Sequence, residues 1–470
     1  MVRLSNLTKR YRKNRFSRSL KRRAAIQKEK LFQPAQVLAI SFAAAILVGS
    51  LLLSLPFSNT SGRISYVDAL FTSTSAICVT GLIVKDTPKD FTPAGQVIIL
   101  ILIQLGGLGI MTFSTMVLLA AGRSISIGDR ILVQEGYHPG SPRDFKSLVR
   151  YVFLFTFSIE LTGFMLLFFG FLKNHPWPRA AYSALFHSIS AFCNAGFSVY
   201  SDNLMSYRGN ILVNLTVIGL IILGGLGFLV IKEVLGAFPA FLKRAKVQIS
   251  LHTKIVLTVT SLLIAGPFLI FLLLEGRGSL QSLTWKEKIL ASLFQIITPR
   301  TAGFNTMDLT ALGTATVLLL MLLMFIGASP GSTGGGVKTS TFGVVLAFLR
   351  SKIARRDSVH LFYRNIPADN VIKAFTVIAL ALSLIFVVAF VVLFNQPGLL
   401  MKEVFFEVFS GFGTVGLSLG ITAGLSSLSK VMIILIMYAG RVGPLTLLYA
   451  FSRRRAIGKF EYVEENVMIG

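Results

Sequence analysis

The sequence predicts an all-α integral membrane protein with eight transmembrane spans, built as four helix–re-entrant loop–helix repeats around a pseudo-fourfold axis. Three observations predict it. Hydrophobic residues make up 53% of the 470 and charged residues only 14%, whereas a soluble domain carries about 25% charge. Eight apolar stretches are long enough to cross a bilayer. A shorter apolar segment that ends in glycine recurs four times, at intervals of roughly 110 residues. This composition excludes an ordinary cytosolic enzyme and a disordered basic protein.

The eight stretches are 36–56, 95–121, 148–172, 210–231, 255–274, 311–349, 371–394 and 431–451. The first follows a basic leader of about thirty residues, and Leu51–Pro56 offers no small-residue cleavage site, so it reads as a retained helix. An even number of crossings puts both termini on one side. Of the 46 Lys and Arg, 32 fall in the five segments on that side, 12 in the loops opposite, and two, Lys338 and Arg441, inside apolar stretches. Basic loops stay in the cytoplasm, so both termini are expected there, in a multi-pass protein of the cell membrane. The net charge of +26 is then an orientation signal spread over short loops, not a footprint for nucleic acid.

The division that follows is a basic cytoplasmic N-terminal segment 1–34, repeats at 35–121, 145–238, 253–349 and 370–452, and a cytoplasmic C-terminal tail 453–470. Within each repeat the short segment reads DALFTSTSAICVTGL from Asp68, SALFHSISAFCNAGF from Ser183, SLFQIITPRTAGF from Ser292 and EVFFEVFSGFGTVGL from Glu403. A Phe stands ten residues before the Gly in three copies, Phe71 to Gly81, Phe186 to Gly196 and Phe406 to Gly416, and nine before it in Phe294 to Gly303. The following helix repeats as well, with LGGLG at 105–109 and 223–227 and AGRVG at 439–443; Gly107, Gly225, Gly327 and Gly440 read as equivalent. Each repeat crosses twice, so all four share one orientation and can be related by rotation about the membrane normal. Inverted repeats, common in secondary transporters, need an odd number of crossings.

Irregular backbone at membrane depth is tolerated only where it is buried in protein or lines a watery cavity. Four such segments about one axis make a pseudo-fourfold pore axis. The segments Val79-Thr80-Gly81, Asn194-Ala195-Gly196, Thr301-Ala302-Gly303 and Thr414-Val415-Gly416 can turn carbonyl oxygens inward to replace a cation's hydration shell. Glycine suits a backbone that needs φ > 0. With no carboxylate ring at these positions, divalent selectivity is not expected. Two cysteines, no paired histidines and no nucleophile–base motif predict no metal or covalent chemistry, hence no enzyme.

The sixth stretch is interrupted by Gly327-Ala-Ser329-Pro330-Gly331-Ser-Thr-Gly334-Gly335-Gly336. Five glycines and a proline cannot continue a helix, at about 1 kcal/mol per Gly and 3 per Pro relative to Ala. An intramembrane loop at 327–338 is expected beneath the glycine segments, with Lys338 at its end reaching toward the cytoplasmic opening. A phosphate-binding loop is excluded because Val337 separates Gly336 from Lys338 and no strand precedes the run. Arg441 lies in the last span and must find acceptors in the interior; the freed carbonyls of the loop are the expected partners, which makes the loop a candidate gate. Glu160 reads as the only acid within a helix and is expected to pair with a polar neighbour. Cys78 and Cys193, each three before its Gly, read as packing residues.

The runs TPRTAGFNT at 298–306, GASPGSTGGGVKTS at 327–340 and AGRVGPLTLL at 439–448, with one Gly per re-entrant segment, make the chain resemble the bacterial KtrB/TrkH potassium transporters, in the superfamily that includes plant HKT proteins. The resemblance covers nearly the full chain, and eight spans with no extra pair before residue 36 look more like KtrB. It implies K⁺ uptake through one pore per subunit, with K⁺ held at the carbonyls of the four segments. It also implies a homodimer on a cytosolic ring of KtrA-like, nucleotide-binding RCK subunits, with nucleotide acting only through that partner, Na⁺ as an activator, and no cofactor bound by this chain. Symport of K⁺ with Na⁺ or H⁺ stays open as the alternative.

Overall fold

A computed structural model describes residues 34–109, 142–243 and 249–451. The expected N-terminal segment, the C-terminal tail, the second half of the stretch expected at 95–121 and most of the loop at 122–150 lie outside the described residues, and so does most of the charge that sets orientation.

Each repeat begins with a long helix: α1 Pro34–Ser54, α4 Pro142–Phe171, α8 Leu251–Glu275 and α12 Ala368–Asn395. A short re-entrant helix follows in each: α2 Tyr66–Ile77, α5 Trp177–Phe192, α9 Trp285–Ile297 and α13 Met401–Gly413. Then come α3 Pro93–Leu108, α6 Ile211–Leu226, α10 Thr314–Phe325 and α14 Ser427–Val442. Three of these last helices are started by a side-chain cap: Thr92 accepts from Gly95 N–H, Asn210 from Val213 N–H and Ser426 from Ser429 N–H. Helices α7 Phe228–Leu242, α11 Thr339–Ile353 and α15 Pro444–Phe451 continue repeats 2, 3 and 4. The described residues also hold a two-residue antiparallel ladder, His360–Leu361 with Arg364–Asn365, between repeats 3 and 4, and two isolated β-bridges, Asn59 with Phe91 and Ile326 with Val337.

Two stretches expected as single spans are broken. Helices α6 and α7 meet at 104°, and α14 and α15 at 93°. The break falls on the last glycine of each repeated motif, Gly227 at φ +91° and Gly443 at φ +94°, and α3 likewise ends at Gly109 with φ +79°. Only glycine adopts such backbone without strain; hydropathy runs straight across the bend, which is why the sequence reads as continuous. By length and composition four helices can cross a membrane, within 35–54, 149–171, 251–275 and 368–395, or six if each bent pair is one span, while α3 and α10 are shorter apolar helices. Their outward faces are lined with apolar side chains, among them Leu273 and Phe394, both 81% exposed, as a lipid-facing surface requires.

The re-entrant helices sit at the centre. Phe71, Phe186, Phe294 and Phe406 are all fully buried. Each re-entrant helix packs on the long helix of its own repeat and on the second helix of the preceding one: α5 on α3, α9 on α6, α13 on α10 and, closing the cycle, α2 on α14. An ion pair marks the closure, Lys430 Nζ to Asp68 Oδ1 at 2.7 Å. Glycines allow the close packing within repeats. A Cβ at Gly106, Gly224 or Gly440 would strike the carbonyl of Ile77, Phe192 or Phe412, at the end of that repeat's own re-entrant helix. These three are therefore the equivalent positions. Gly440 corresponds to Gly106 and Gly224, not to Gly107 and Gly225 as the sequence reading had it, and the counterpart of Gly107 and Gly225 in the fourth repeat is Arg441.

Candidate functional site

Beyond each re-entrant helix the backbone takes the same irregular path four times. The residue two before the glycine has positive φ in every copy, Val79 at 50°, Asn194 at 60°, Thr301 at 68° and Thr414 at 50°. The glycines do too: Gly81 at 91°, Gly196 at 71°, Gly303 at 75° and Gly416 at 93°. Positive φ is a genuine outlier for the β-branched Val79, Thr301 and Thr414, and carries about 1–3 kcal/mol of strain each. Such strain persists only where the surroundings enforce it.

Hydrogen bonds from the segments to their own re-entrant helices supply that enforcement. Thr80, Ala195 and Val415 donate backbone N–H to the carbonyls of Ser75, Ser190 and Ser410 at 2.7–2.8 Å, and Ala302 donates to Thr298 O at 2.9 Å. The hydroxyls of the same four residues act as well. Gly81 and Gly416 N–H each donate to Ser75 or Ser410 Oγ at 3.0 Å. Ser190 Oγ donates to Phe197 O at 2.8 Å and Thr298 Oγ1 to Phe304 O at 2.6 Å. Sequence reasoning missed this set, although a Ser or Thr stands five or six residues before the Gly in every copy.

With the N–H groups turned inward to the helices, the carbonyls turn the other way. The Cα of Gly81 faces the carbonyl of Ala195, that of Gly196 faces Ala302 O, that of Gly303 faces Val415 O, and that of Gly416 faces Thr80 O. An added Cβ would lie 2.5 Å from Ala195 O at Gly81 and 2.7 Å from Ala302 O at Gly196, and closer still to the facing carbonyl at the other two. The four segments thus form a closed ring in chain order. Among the described residues no protein donor reaches the carbonyl oxygens of Thr80, Ala195, Ala302 or Val415. One side of the ring opens into a cavity of about 180 Å³, lined by the four glycines and by the residues two beyond each, Ile83, Ser198, Asn305 and Ser418.

The loop that follows α10 lies against the opposite side. Gly334 packs on the Thr301 side chain, and Gly335 N–H donates to Thr414 Oγ1 at 3.0 Å. Thr301 Oγ1 is itself 3.3 Å from the Asn194 side-chain amide, best oriented with its oxygen toward that hydroxyl and its nitrogen toward Ala191 O and Ile221 O. The loop's ends pair with each other, Gly327 N–H to Val337 O at 2.9 Å. Its middle is held by repeat 2: Ser329 N–H donates to Gly225 O, Thr333 N–H to Gly224 O, and Phe228 N–H to Gly331 O, while Pro330 O abuts Gly227. On the repeat 4 side Gly336 N–H donates to Gly440 O at 3.2 Å. Arg441 donates from Nη1 to Thr333 O in the loop and from Nη2 to Gly106 O at the end of α3. Lys338 does not extend away; it folds back so that Nζ donates to Gly334 O at 2.7 Å.

The remaining singled-out residues lie nearby. Glu160 accepts from Gln104 Nε2 at 3.2 Å. It is not the only acid within a helix, since Glu407 is buried inside α13 and Asp68 opens α2. Cys78 and Cys193 are buried and free, and Cys193 Sγ fills the space where a Cβ of Gly107 would stand. Among the described residues no cluster of His, Cys, Asp or Glu could hold a metal ion.

What a carbonyl ring above a pinned loop belongs to is answered by comparison. The TrkH family, described as cation transport protein, matches residues 18–460. The chain is 41% identical over 435 residues to "Ktr system potassium uptake protein B" of Bacillus subtilis, covering 91% of this chain and 96% of that one. It is 37% identical over 449 residues to "Potassium/sodium uptake protein NtpJ" of Enterococcus hirae, covering 94% and 98%. The crystal structure of the potassium transporter TrkH from Vibrio parahaemolyticus has the same fold, with a TM-score of 0.70 over 90% of this chain and 86% of that one at 20% identity. These relatives are transporters by name, not enzymes. The chain belongs to the TrkH family of cation transport proteins and is a multi-pass membrane protein.

Proposed function

We propose that this chain is the membrane-spanning subunit of a bacterial K⁺ uptake system. It crosses the cell membrane eight times, with both termini cytoplasmic and four repeats around one pore. The observation that carries the reading is the closed ring of four glycine segments, strained alike and tied alike, with a backbone carbonyl facing each glycine. Dehydrated monovalent cations are held by such oxygens, so K⁺ sits at the carbonyls of 79–81, 194–196, 301–303 and 414–416. The names of the Bacillus and Enterococcus relatives support potassium as the cargo. With the cell interior negative, each inward charge gains about 2.3 kcal/mol per 100 mV, so accumulation needs no hydrolysis by this chain.

The loop at 327–338 is the gate. Its position under Thr301 and Thr414 closes the path on the side away from the cavity, and the two carbonyl contacts of Arg441 hold it there. A cytosolic nucleotide-binding RCK ring moves it, the chain acting as a homodimer upon that ring, with Na⁺ an activator and nucleotide bound only by the partner. Coupled symport with Na⁺ is the second reading, kept because the Enterococcus relative is named for both ions.

The test is growth and flux. A bacterium lacking its own K⁺ uptake should grow at limiting K⁺ when this chain is supplied with an RCK partner, and proteoliposomes should take up K⁺ down its own gradient with Na⁺ and H⁺ gradients clamped to zero. Uptake that stops without a Na⁺ or H⁺ gradient would establish symport instead.

A further inference from the structure

Four equivalent residues stand directly behind the ring, one after each buried Phe: Thr72, His187, Gln295 and Glu407. All are buried and polar, where a packing position would be apolar. Their partners differ by repeat. In repeat 2, His187 Nδ1 lies 2.7 Å from the carbonyl of Ser183, which accepts only, so Nδ1 carries the proton and Nε2 accepts from Ser198 Oγ at 2.9 Å. Ser198 Oγ in turn accepts from Tyr200 N–H at 3.0 Å. In repeat 4, Glu407 Oε1 accepts from the hydroxyl of Thr422; Thr422 Oγ1 is 2.9 Å from Ser418 Oγ, which accepts from Gly420 N–H at 2.9 Å.

Ser198 and Ser418 hold the same place, two residues past the glycine, and both line the cavity over the ring. A link from the residue behind the ring to the rim serine is thus built twice, directly from His187 to Ser198 and through the Thr422 hydroxyl from Glu407 to Ser418, in the second and fourth of four cyclically packed repeats. The other two repeats lack it. Thr72 bonds back to its own helix at Asp68 O, and its rim residue is the apolar Ile83. Gln295 has neither its amide oxygen nor its nitrogen bonded to protein.

We propose that His187 and Glu407 are positioning residues for cation selection, acting through Ser198 and Ser418 to fix the outer rim of the ring along the diagonal formed by repeats 2 and 4. This rests on the reading of the ring as the selectivity filter. The rim residues sit two positions beyond the glycines, so the links hold the exit end of a segment whose entry end is held by the carbonyl of Ser190 or Ser410, which accepts from Ala195 or Val415 N–H. A segment fixed at both ends cannot relax around a smaller ion, which is the property that discrimination between K⁺ and Na⁺ requires of carbonyls. In repeat 1 the rim residue Ile83 has no side-chain link of this kind, and in repeat 3 Asn305 is held from repeat 2 instead, its carbonyl accepting from Leu204 N–H at 3.1 Å.

The experiment is a bi-ionic K⁺/Na⁺ reversal-potential measurement on purified full-length protein in proteoliposomes. His187→Leu and Glu407→Leu should each lower the K⁺/Na⁺ permeability ratio by about fivefold, the change expected of one hydrogen bond worth about 1 kcal/mol. Glu407→Gln keeps a hydrogen-bonding head and should restore most of the ratio, and Ser418→Ala combined with Glu407→Leu should do no more than either alone. Gln295→Leu, which removes a side chain with no protein partner, should leave the ratio unchanged. Thermal unfolding in detergent accompanies each variant, so that a ratio is compared only between folded proteins. Gly416→Ser is the control for the reading beneath. If Gly416→Ser abolishes the preference while the His187 and Glu407 variants, or Glu407→Leu and Gln295→Leu alike, leave it untouched, the positioning role is wrong and the filter stands. An unaltered ratio in Gly416→Ser overturns the filter itself.

Discussion

The glycine ring and the loop beneath it are both irregular backbone at the centre of the bundle, and they are held in opposite ways. Each ring segment is tied to the re-entrant helix that precedes it, through a Ser or Thr five or six residues away, in all four copies. The loop occurs once and is tied to other repeats: to Gly224 and Gly225 in repeat 2, to Thr414 and Gly440 in repeat 4, and through Arg441 to Gly106 in repeat 1. Local ties fix a conformation whatever the neighbours do. Borrowed ties depend on how the repeats are packed, so a small shift between repeats can release the loop and leave the ring intact. That is the division a selective and gated path needs.

The comparison breaks most sharply at the ring. Gly416→Ser places a side chain against Thr80 O at a φ of +93°; left-handed backbone alone strains a non-glycine residue by about 1–3 kcal/mol. We expect the K⁺/Na⁺ permeability ratio to fall by more than about tenfold, read as a bi-ionic reversal potential, with the gating unaffected. At the loop the expected effect is of another kind. Arg441→Ala removes two carbonyl contacts from the interior and should raise K⁺ flux without the regulatory partner by about an order of magnitude, with the ion preference unchanged; a tracer uptake assay reads it. If Arg441→Ala instead alters preference, ring and loop are not separable.

Smaller effects sharpen the contrast. Gly440→Ala would strike Phe412 O and force α14 off its re-entrant helix, an overpacking that destabilises by about 1–3 kcal/mol, seen as a lower unfolding midpoint in detergent. Because Gly440 also receives the hydrogen bond from Gly336, partner-free flux should rise in parallel. Ser410→Ala and Ser75→Ala each remove a hydroxyl that accepts from a ring glycine. Each should cost about 1 kcal/mol and shift preference by about fivefold, without changing flux through an open gate.

Much of this was legible in the sequence because the ring is made of repeats. A Phe and a Gly ten residues apart, four times over, locate the re-entrant helices and the irregular segments without any structure. The interrupted stretch at 327–336 was legible because glycine and proline end helices wherever they cluster. The bends at Gly227 and Gly443 were not, since apolar residues continue on both sides and a single glycine is tolerated within a helix. Nor were the ring-tying hydroxyls, because Ser and Thr in an apolar helix ordinarily bond their own backbone, as Thr72 and Thr74 do here. Grouping Gly440 with Gly107 and Gly225 placed it one position out, and its contact with Phe412 O shows its equivalence to Gly106 and Gly224. Lys338 was expected to reach toward the cytoplasmic opening, but its ammonium meets the loop carbonyl of Gly334 instead.

The central claim is that the backbone carbonyls of the four glycine segments choose the ion. The bi-ionic reversal potential of the wild-type protein and of Gly81→Ser, Gly196→Ser, Gly303→Ser and Gly416→Ser, measured in one lipid with the loop opened by Arg441→Ala, tests it most directly. The account predicts a K⁺-directed potential in the parent that moves toward zero in each of the four glycine variants. A K⁺-directed potential that survives all four substitutions contradicts it.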